Sequence, residues 1–256
     1  MIREHLFHKP RDAWGADPMF RWRGGEVSRI EALSDGVFAL TITLIVVSAS
    51  VPTTALELWG LVRDLPVFLV SFVMLLMAWH YHHMFFRRYG LEDFGTMVLN
   101  GAFLFLVLFF AYPLKFLASF LWSLVLGDRV ALTEMFAVPA GSSWTEPELH
   151  TMMMVFYGVA VLGVFGVLGL LVLRAWTKRK ALELDRLERF LTLQSLGHHL
   201  IMVGVAALSL LILAVGGQPV WAGIVYFLLG PLHAVLGIWG GVHAGRLHRD
   251  LAGEPG

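Results

Sequence analysis

Three sets of side chains in this sequence have types and spacings that could do chemistry. The first lies between residues 29 and 48, where Arg29, Ser34, Asp35, Thr41, Thr43 and Ser48 interrupt an otherwise apolar stretch. Hydroxyls and charges among aliphatic side chains can meet a cation or water, or can cap and bond the helix that carries them. The second is the string Trp79-His80-Tyr81-His82-His83-Met84-Phe85-Phe86-Arg87-Arg88, an indole, imidazoles and guanidinium groups in one short run. The third is the histidine content, eleven in all. Imidazole suits iron, copper and zinc, and His80, His82, His83, His198, His199, His233, His243 and His248 are the ligands a membrane oxidase or hydroxylase would use. Their spacing opposes that reading, because residues two apart on a helix do not face each other and adjacent pairs do not easily point at one centre. Glu183, Asp185 and Glu188 alternate with basic residues, as on a solvated face. With no cysteine, thiolate ligands, a cysteine nucleophile and disulfides are excluded. A haem held by His199 and His233 is the related alternative.

These side chains must be positioned by helices in a membrane. Of 256 residues, 57% are apolar and 15% charged, against roughly 45–50% and 25% in ordinary soluble domains. About 20 apolar residues cross the ~30 Å hydrocarbon layer as helix. Residues 36–56, 65–86, 94–114 and 149–173 lack Asp, Glu, Lys and Arg and reach that length. Residues 190–245 are charge-free over about twice one crossing, with Gly216-Gly217-Gln218-Pro219 as a turn near the middle. The expected fold is therefore an all-α integral membrane protein with six transmembrane helices. In the third span, Pro113 and Lys115 precede a further apolar run to Gly127, so this helix is long, kinked near Pro113, or followed by an interfacial segment.

Lys and Arg accumulate in cytoplasmic loops. With the amino terminus inside, the inner segments collect sixteen basic residues and the outer loops only Arg129, while Arg63 and Lys115 lie near span ends. Both termini are thus expected in the cytoplasm of a multi-pass protein of the cell membrane, the plasma or inner membrane. Residues 1–28, charged and carrying Trp14 and Trp22, read as a cytoplasmic or interfacial lead-in, 29–245 as the six-helix domain, and 246–256 as a cytoplasmic tail. The link from 174 to 189 places Leu182, Leu184 and Leu187 among alternating charges and reads as a short amphipathic helix at the inner surface. A formal net charge of zero argues against a nucleic-acid partner.

At 100° per residue, Ser34, Thr41 and Ser48 fall on one line of the first helix. Leu40, Leu44 and Val47 fall on another, a quarter-turn or slightly more away, with Thr43 beside it. Periodicity alone does not decide which line faces water. Arg29 and Asp35 are six apart, so neither satisfies the other on an ideal helix. Charges at membrane depth are usually paired, and Trp79, His82, His83 and Asn100 lie at the same depth.

The string Arg29-x-x-x-Leu33-Ser34-Asp35-Gly36-x-Phe38-Ala39-Leu40-x-x-Thr43-Leu44 resembles the Arg-x-x-x-Phe-Ser-Asp signature on the first helix of the TMEM175 family of potassium channels. Trp79 and His82-His83 followed by Arg87, then Asn100 and Pro113, are similar to family residues on the second and third helices. Departures are Leu33 where Phe is usual, Gly36, Val47 where Leu is typical, and a longer lead-in. The resemblance implies a homotetramer in the lipid bilayer, passing potassium down its gradient, with four copies of the first helix lining the pore. It implies no enzyme activity and no cofactor beyond the permeant ion. No carbonyl-lined re-entrant selectivity loop is visible in the sequence, in keeping with the family.

Mapped residue by residue, the family's pore face falls on Leu40, Leu44 and Val47, with the hydroxyl layer on Thr43. A ring of four leucines can expel water and so gate ions, and stripping water costs less for potassium than for sodium, giving a modest preference. Ser34, Thr41 and Ser48 would then bond neighbouring helices. In relatives the first-helix Arg and Asp join Trp and His of the second helix. Arg29, Ser34, Asp35, Trp79, His82, His83 and Asn100 thus read as a network that fixes the pore helix, with gating or pH sensitivity through histidine as the other reading. A secondary transporter is the competing class. Such proteins break spans with Gly or Pro and hold ionisable groups at the midplane. Here Pro66 and Pro231 lie near span starts, midplane ionisable groups are few, and no inverted repeat is visible.

Overall fold

The computed structural model describes residues 19–47 and 51–253. Ser48 and most of the lead-in lie outside the described residues.

Among those residues the chain is helical, and six helical segments are long and apolar enough to cross a membrane. They are α1 (Arg29–Val47), α3 (Leu65–Tyr89), α4 (Phe94–Leu126), α6 (Glu146–Thr177), α7 (Arg186–Ala214) and a last segment built from α8 (Pro219–Ile224), a 3-10 turn (Val225–Leu228) and α9 (Leu229–Ala252). Two short helices complete the order, α2 (Ala55–Arg63) between α1 and α3, and α5 (Arg129–Met135) between α4 and α6. The 3-10 turn lets the last span follow the Gly216-Gly217-Gln218-Pro219 turn without a second loop.

Local chemistry explains where the helices begin and end. Asp93 caps α4 by accepting from Thr96 N, and Asp185 caps α7 by accepting from Glu188 N, while the Glu188 carboxylate accepts back from Asp185 N. Gly90 ends α3 at φ +56 and Gly127 ends α4 at φ +67, a left-handed conformation that favours glycine.

One difference from the sequence reading has a physical cause, and one point it left open is decided. The link between α6 and α7 is not an amphipathic helix. Residues 178–183 form turns, Leu182 and Leu184 are buried, and Arg186–Arg189 already belong to α7. The Asp185–Glu188 capping box puts the helix start downstream of Leu182 and Leu184 and takes Leu187 into α7. The third span, in turn, is one unbroken helix of 33 residues, about 50 Å at 1.5 Å per residue, so it outreaches the hydrocarbon layer. Pro113 sits inside it, where its ring removes a backbone donor, and the Pro113 carbonyl accepts a hydrogen bond from Tyr157 Oη of α6 at 2.6 Å.

The helices pack as two groups. α1, α3 and α4 contact one another, α7 packs against α6 and α9, and α4 with α3 joins the groups by lying on α6. The main core fills that junction with Phe38 and Ile45 of α1, Phe85 and Phe86 of α3, Phe103 and Val107 of α4, and Leu168 and Leu171 of α6. Leu182 and Leu184 close it from the α6–α7 link.

Candidate functional site

The two lines of α1 have opposite fates. Ser34 and Thr41 are fully buried against the rest of the chain, with Phe38 and Ile45 beside them. Leu40, Leu44 and Val47 are 51%, 44% and 70% exposed, and Thr43 is exposed as well. The buried hydroxyls satisfy themselves locally, Thr41 Oγ1 donating to the Val37 carbonyl at 2.7 Å and Ser34 Oγ to the Ile30 carbonyl at 2.7 Å. Thr43 Oγ1 donates to the Ala39 carbonyl at 2.9 Å. With its proton turned to the backbone, that oxygen presents only lone pairs to whatever lies beyond the exposed face.

Two neighbouring residues fix the roll of α1. Ser34 Oγ accepts from Asn100 Nδ2 at 3.1 Å, and Asn100 Oδ1 lies 2.6 Å from His82 Nε2. Because the amide oxygen accepts, His82 donates there. All three side chains are buried, and His82 stacks on Phe103 at 5.3 Å with planes 7° apart. One residue further along α1, Asp35 Oδ1 accepts from Trp79 Nε1 at 2.8 Å, and the indole stacks on His83 at 5.1 Å. Trp79 and His82 are one turn apart on α3, so a single helix face grips positions 34 and 35. Arg29 stands at the exposed start of α1 and has no hydrogen bond or ion pair among the described residues. The structure thus brings together Ser34, Asp35, Trp79, His82, His83 and Asn100 and leaves Arg29 apart.

Other polar groups escaped the sequence reading. Glu188 is fully buried and receives Arg23 Nη2 at 2.6 Å and Arg21 Nη2 at 3.0 Å. Arg23 Nε also donates to the Leu182 carbonyl at 2.8 Å. These bonds strap residues 19–25 onto α7, and backbone donors of Arg23 and Gly24 reach the Arg87 carbonyl at the end of α3. A Cβ on Gly24 would lie 2.6 Å from the Phe86 carbonyl oxygen, so only glycine passes there. The Arg21-x-Arg23 spacing and the Asp185–Glu188 box were the signals, but a carboxylate in a capping box normally faces water. At the start of α4, Asp93 pairs with Arg174 and Lys178. Hydrogen bonds from Arg174, then from Lys178 and Thr96, hold the Asp93 carboxyl well below the usual range despite partial burial.

No group of three or more His, Cys, Asp or Glu among the described residues is placed to hold a metal ion. His199 is buried against Tyr81 and Phe165, and it is His198, not His199, that meets His233. Histidine adjacency in sequence misleads here because neighbours on a helix diverge by 100°.

Comparison with known proteins follows the same residues. Residues 29–110, which carry α1, α3 and the first half of α4, match the sequence model of a family described as the endosomal/lysosomal potassium channel TMEM175. A potassium channel of Marivirga tractuosa is 36% identical over 228 residues, covering 87% of this chain and 91% of that one. A potassium channel of Chamaesiphon minutus is 40% identical over 104 residues, 38% of this chain and 51% of its own length. Among solved structures, a crystal structure of a variant of the potassium channel MtTMEM175, in complex with a nanobody fusion protein, is similar at a TM-score of 0.75 and 33% identity, over 89% of this chain and 99% of that one.

Proposed function

Since this chain belongs to the TMEM175 family of potassium channels, we propose that it passes potassium through a pore lined by α1 of four copies. Its family is one of channels, not enzymes, and the chain is a multi-pass membrane protein. The reading adds the assembly, the pore face, the modest preference for potassium over sodium, and the bacterial cell membrane as location.

The observation that carries it is the roll of α1. The gripped face holds Ser34 and Asp35, and the opposite face leaves Leu40, Thr43, Leu44 and Val47 uncovered by their own chain. In a lone subunit that face would meet lipid, which a threonine with outward lone pairs does not need. Around a four-fold axis the same face supplies an aliphatic constriction at Leu40, Leu44 and Val47 and an oxygen layer at Thr43. A leucine ring expels water and bars ions until it widens. Partly dehydrated ions then meet the threonine oxygens, and potassium, the less strongly hydrated ion, loses less in the exchange. The Asn100 and Trp79 anchors keep the constriction in register by denying α1 free rotation.

Current through the purified protein in a planar bilayer, under opposed potassium and sodium gradients, tests this. A reversal potential displaced toward the potassium equilibrium value is expected. Leu40→Ala should raise the leak, and Thr43→Ala should move the potassium-to-sodium preference. Currents unchanged by both substitutions would overturn the assigned face.

A further inference from the structure

We propose that the groove between α3 and α7 binds the phosphate and glycerol of an anionic phospholipid, drawn from the leaflet at the carboxyl end of α3. That leaflet is the cytoplasmic one expected from the distribution of Lys and Arg. Among the described residues the backbones of α3 and α7 do not approach one another closely. Two side-chain contacts bridge them instead. Tyr89 Oη donates to Thr192 Oγ1 at 2.9 Å, and Tyr81 meets the His199 ring edge-on at 5.5 Å. Beside these bridges lies a cavity of about 270 Å³, floored by Leu168 and Val172 of α6.

The side chains around the cavity are graded with depth. Arg88 borders it one residue from the end of α3, and its guanidinium is held over the Phe20 ring at 5.0 Å. Ser195 and His198 line the α7 wall, and on α3 His80 lies about 12 Å deeper than Arg88 at 1.5 Å per residue. Met84 and Leu191 fill the intervals. His198 Nδ1 is engaged with His233 Nδ1 at 2.7 Å, so Nε2 is its remaining nitrogen. When His233 donates in that contact, His198 carries its hydrogen on Nε2 and can donate to a ligand.

A cation at the end of the span, a hydroxyl and imidazoles below it, and apolar walls throughout repeat the order of a phospholipid's phosphate, glycerol esters and first methylenes. No carboxylate borders the cavity, and Arg88 is the charged side chain on its wall, so the site favours an anion over a cation. Arginine meets phosphate through two parallel hydrogen bonds, and basic pockets between spanning helices on the cytoplasmic side bind anionic headgroups. The cavity admits a glycerol phosphate group, whereas a helix 10–12 Å across does not fit.

The consequence is mechanical. α3 also carries Trp79 and His82, which grip α1 directly and through Asn100. A lipid seated along Arg88 and His80 ties α3 to α6 and α7, and so braces the helix that sets the roll of α1. Its binding does not depend on the conduction reading and is measured without current.

The experiment titrates delipidated full-length protein in detergent with dioleoylphosphatidylglycerol, with dioleoylphosphatidylcholine and with inorganic phosphate, followed by native mass spectrometry and thermal melting. Phosphatidylglycerol should saturate at one equivalent per chain and raise the Tm, with a Kd about tenfold below that of phosphatidylcholine. Arg88→Gln removes the charge, and Ser195→Leu fills the groove while keeping Arg88. Melting without lipid shows that each variant is folded. Each should weaken phosphatidylglycerol about tenfold, and Arg88→Gln should also abolish the preference over phosphatidylcholine. Equal affinity of the wild type for the two lipids, or affinity unchanged in either folded variant, would overturn the proposal and assign the lipid to the general annulus. A rise in Tm with inorganic phosphate equal to that with phosphatidylglycerol would overturn it in favour of a soluble anion. Absence of saturable lipid would overturn it in favour of a groove closed by side chains of a neighbouring subunit.

Discussion

At the scale of single residues, the chain depends on polar groups that are buried and fully partnered. Asn100 is the clearest, because one side chain serves Ser34 of α1 and His82 of α3 at once. Asn100→Ala would leave a hydroxyl acceptor and an imidazole donor without partners in the interior, at a cost of about 1–3 kcal/mol each. A Tm in detergent lowered by several degrees is expected, and an unchanged Tm would show that water replaces the amide. Glu188 is the second such residue. Glu188→Gln would leave the Arg23 guanidinium, itself only 6% exposed, without its carboxylate. Breaking a buried pair from one side costs about 3–5 kcal/mol. Limited proteolysis near residues 19–25 should accelerate in this variant, and equal protection in both proteins would place the strap's stability in its backbone bonds to Arg87 instead.

At the scale of elements, α4 and α6 are tied at two levels. Tyr157 holds the carbonyl of Pro113 in the middle of α4, and Asp93 at its start is paired with Arg174 and Lys178 at the end of α6. The Asp93 carboxyl is lowered in the folded protein, so the folded state holds its proton less readily than the unfolded chain. The stabilisation is complete above the ordinary aspartate value of about 3.9 and is lost as pH falls below it toward the folded value. Melting of wild type and Asp93→Asn across pH 7 to pH 3 should show a gap that is constant near neutrality and narrows in acid. A gap independent of pH would mean that Asp93 acts through its cap on Thr96 alone.

At the scale of the whole molecule, α1 is covered on one side only, and Arg29 has no partner of its own chain among the described residues. A guanidinium at a membrane boundary is expected to find a partner, and in the proposed tetramer a neighbouring subunit is the available source. Arg29→Ala and Asp35→Ala should therefore shift the size-exclusion profile in mild detergent toward smaller species. The two variants differ in a second readout. Asp35→Ala also removes the acceptor of Trp79 within the chain, so its Tm should fall as well, whereas that of Arg29→Ala should not. An unaltered elution volume for both would count against a role at the subunit interface.

The sequence by itself determined the six spans, because charge-free length and the expense of unbonded backbone in lipid leave helices as the solution. It also brought Asp35, Trp79, Asn100 and the histidines to one depth, and family likeness gathered them into one network. What it left open on α1 was rotation: Ser34–Thr41 and Leu40–Val47 have equal claims to the inside under a period of 3.6. Family likeness favoured turning Ser34 and Thr41 inward, and the physical reason is visible only in the tertiary structure, since the roll of a helix is set by partners far away in sequence, here Asn100 on α4 and Trp79 on α3. The same reason hid the Arg21, Arg23 and Glu188 cluster and the meeting of His198 with His233, whose members are brought together by packing and share no local period.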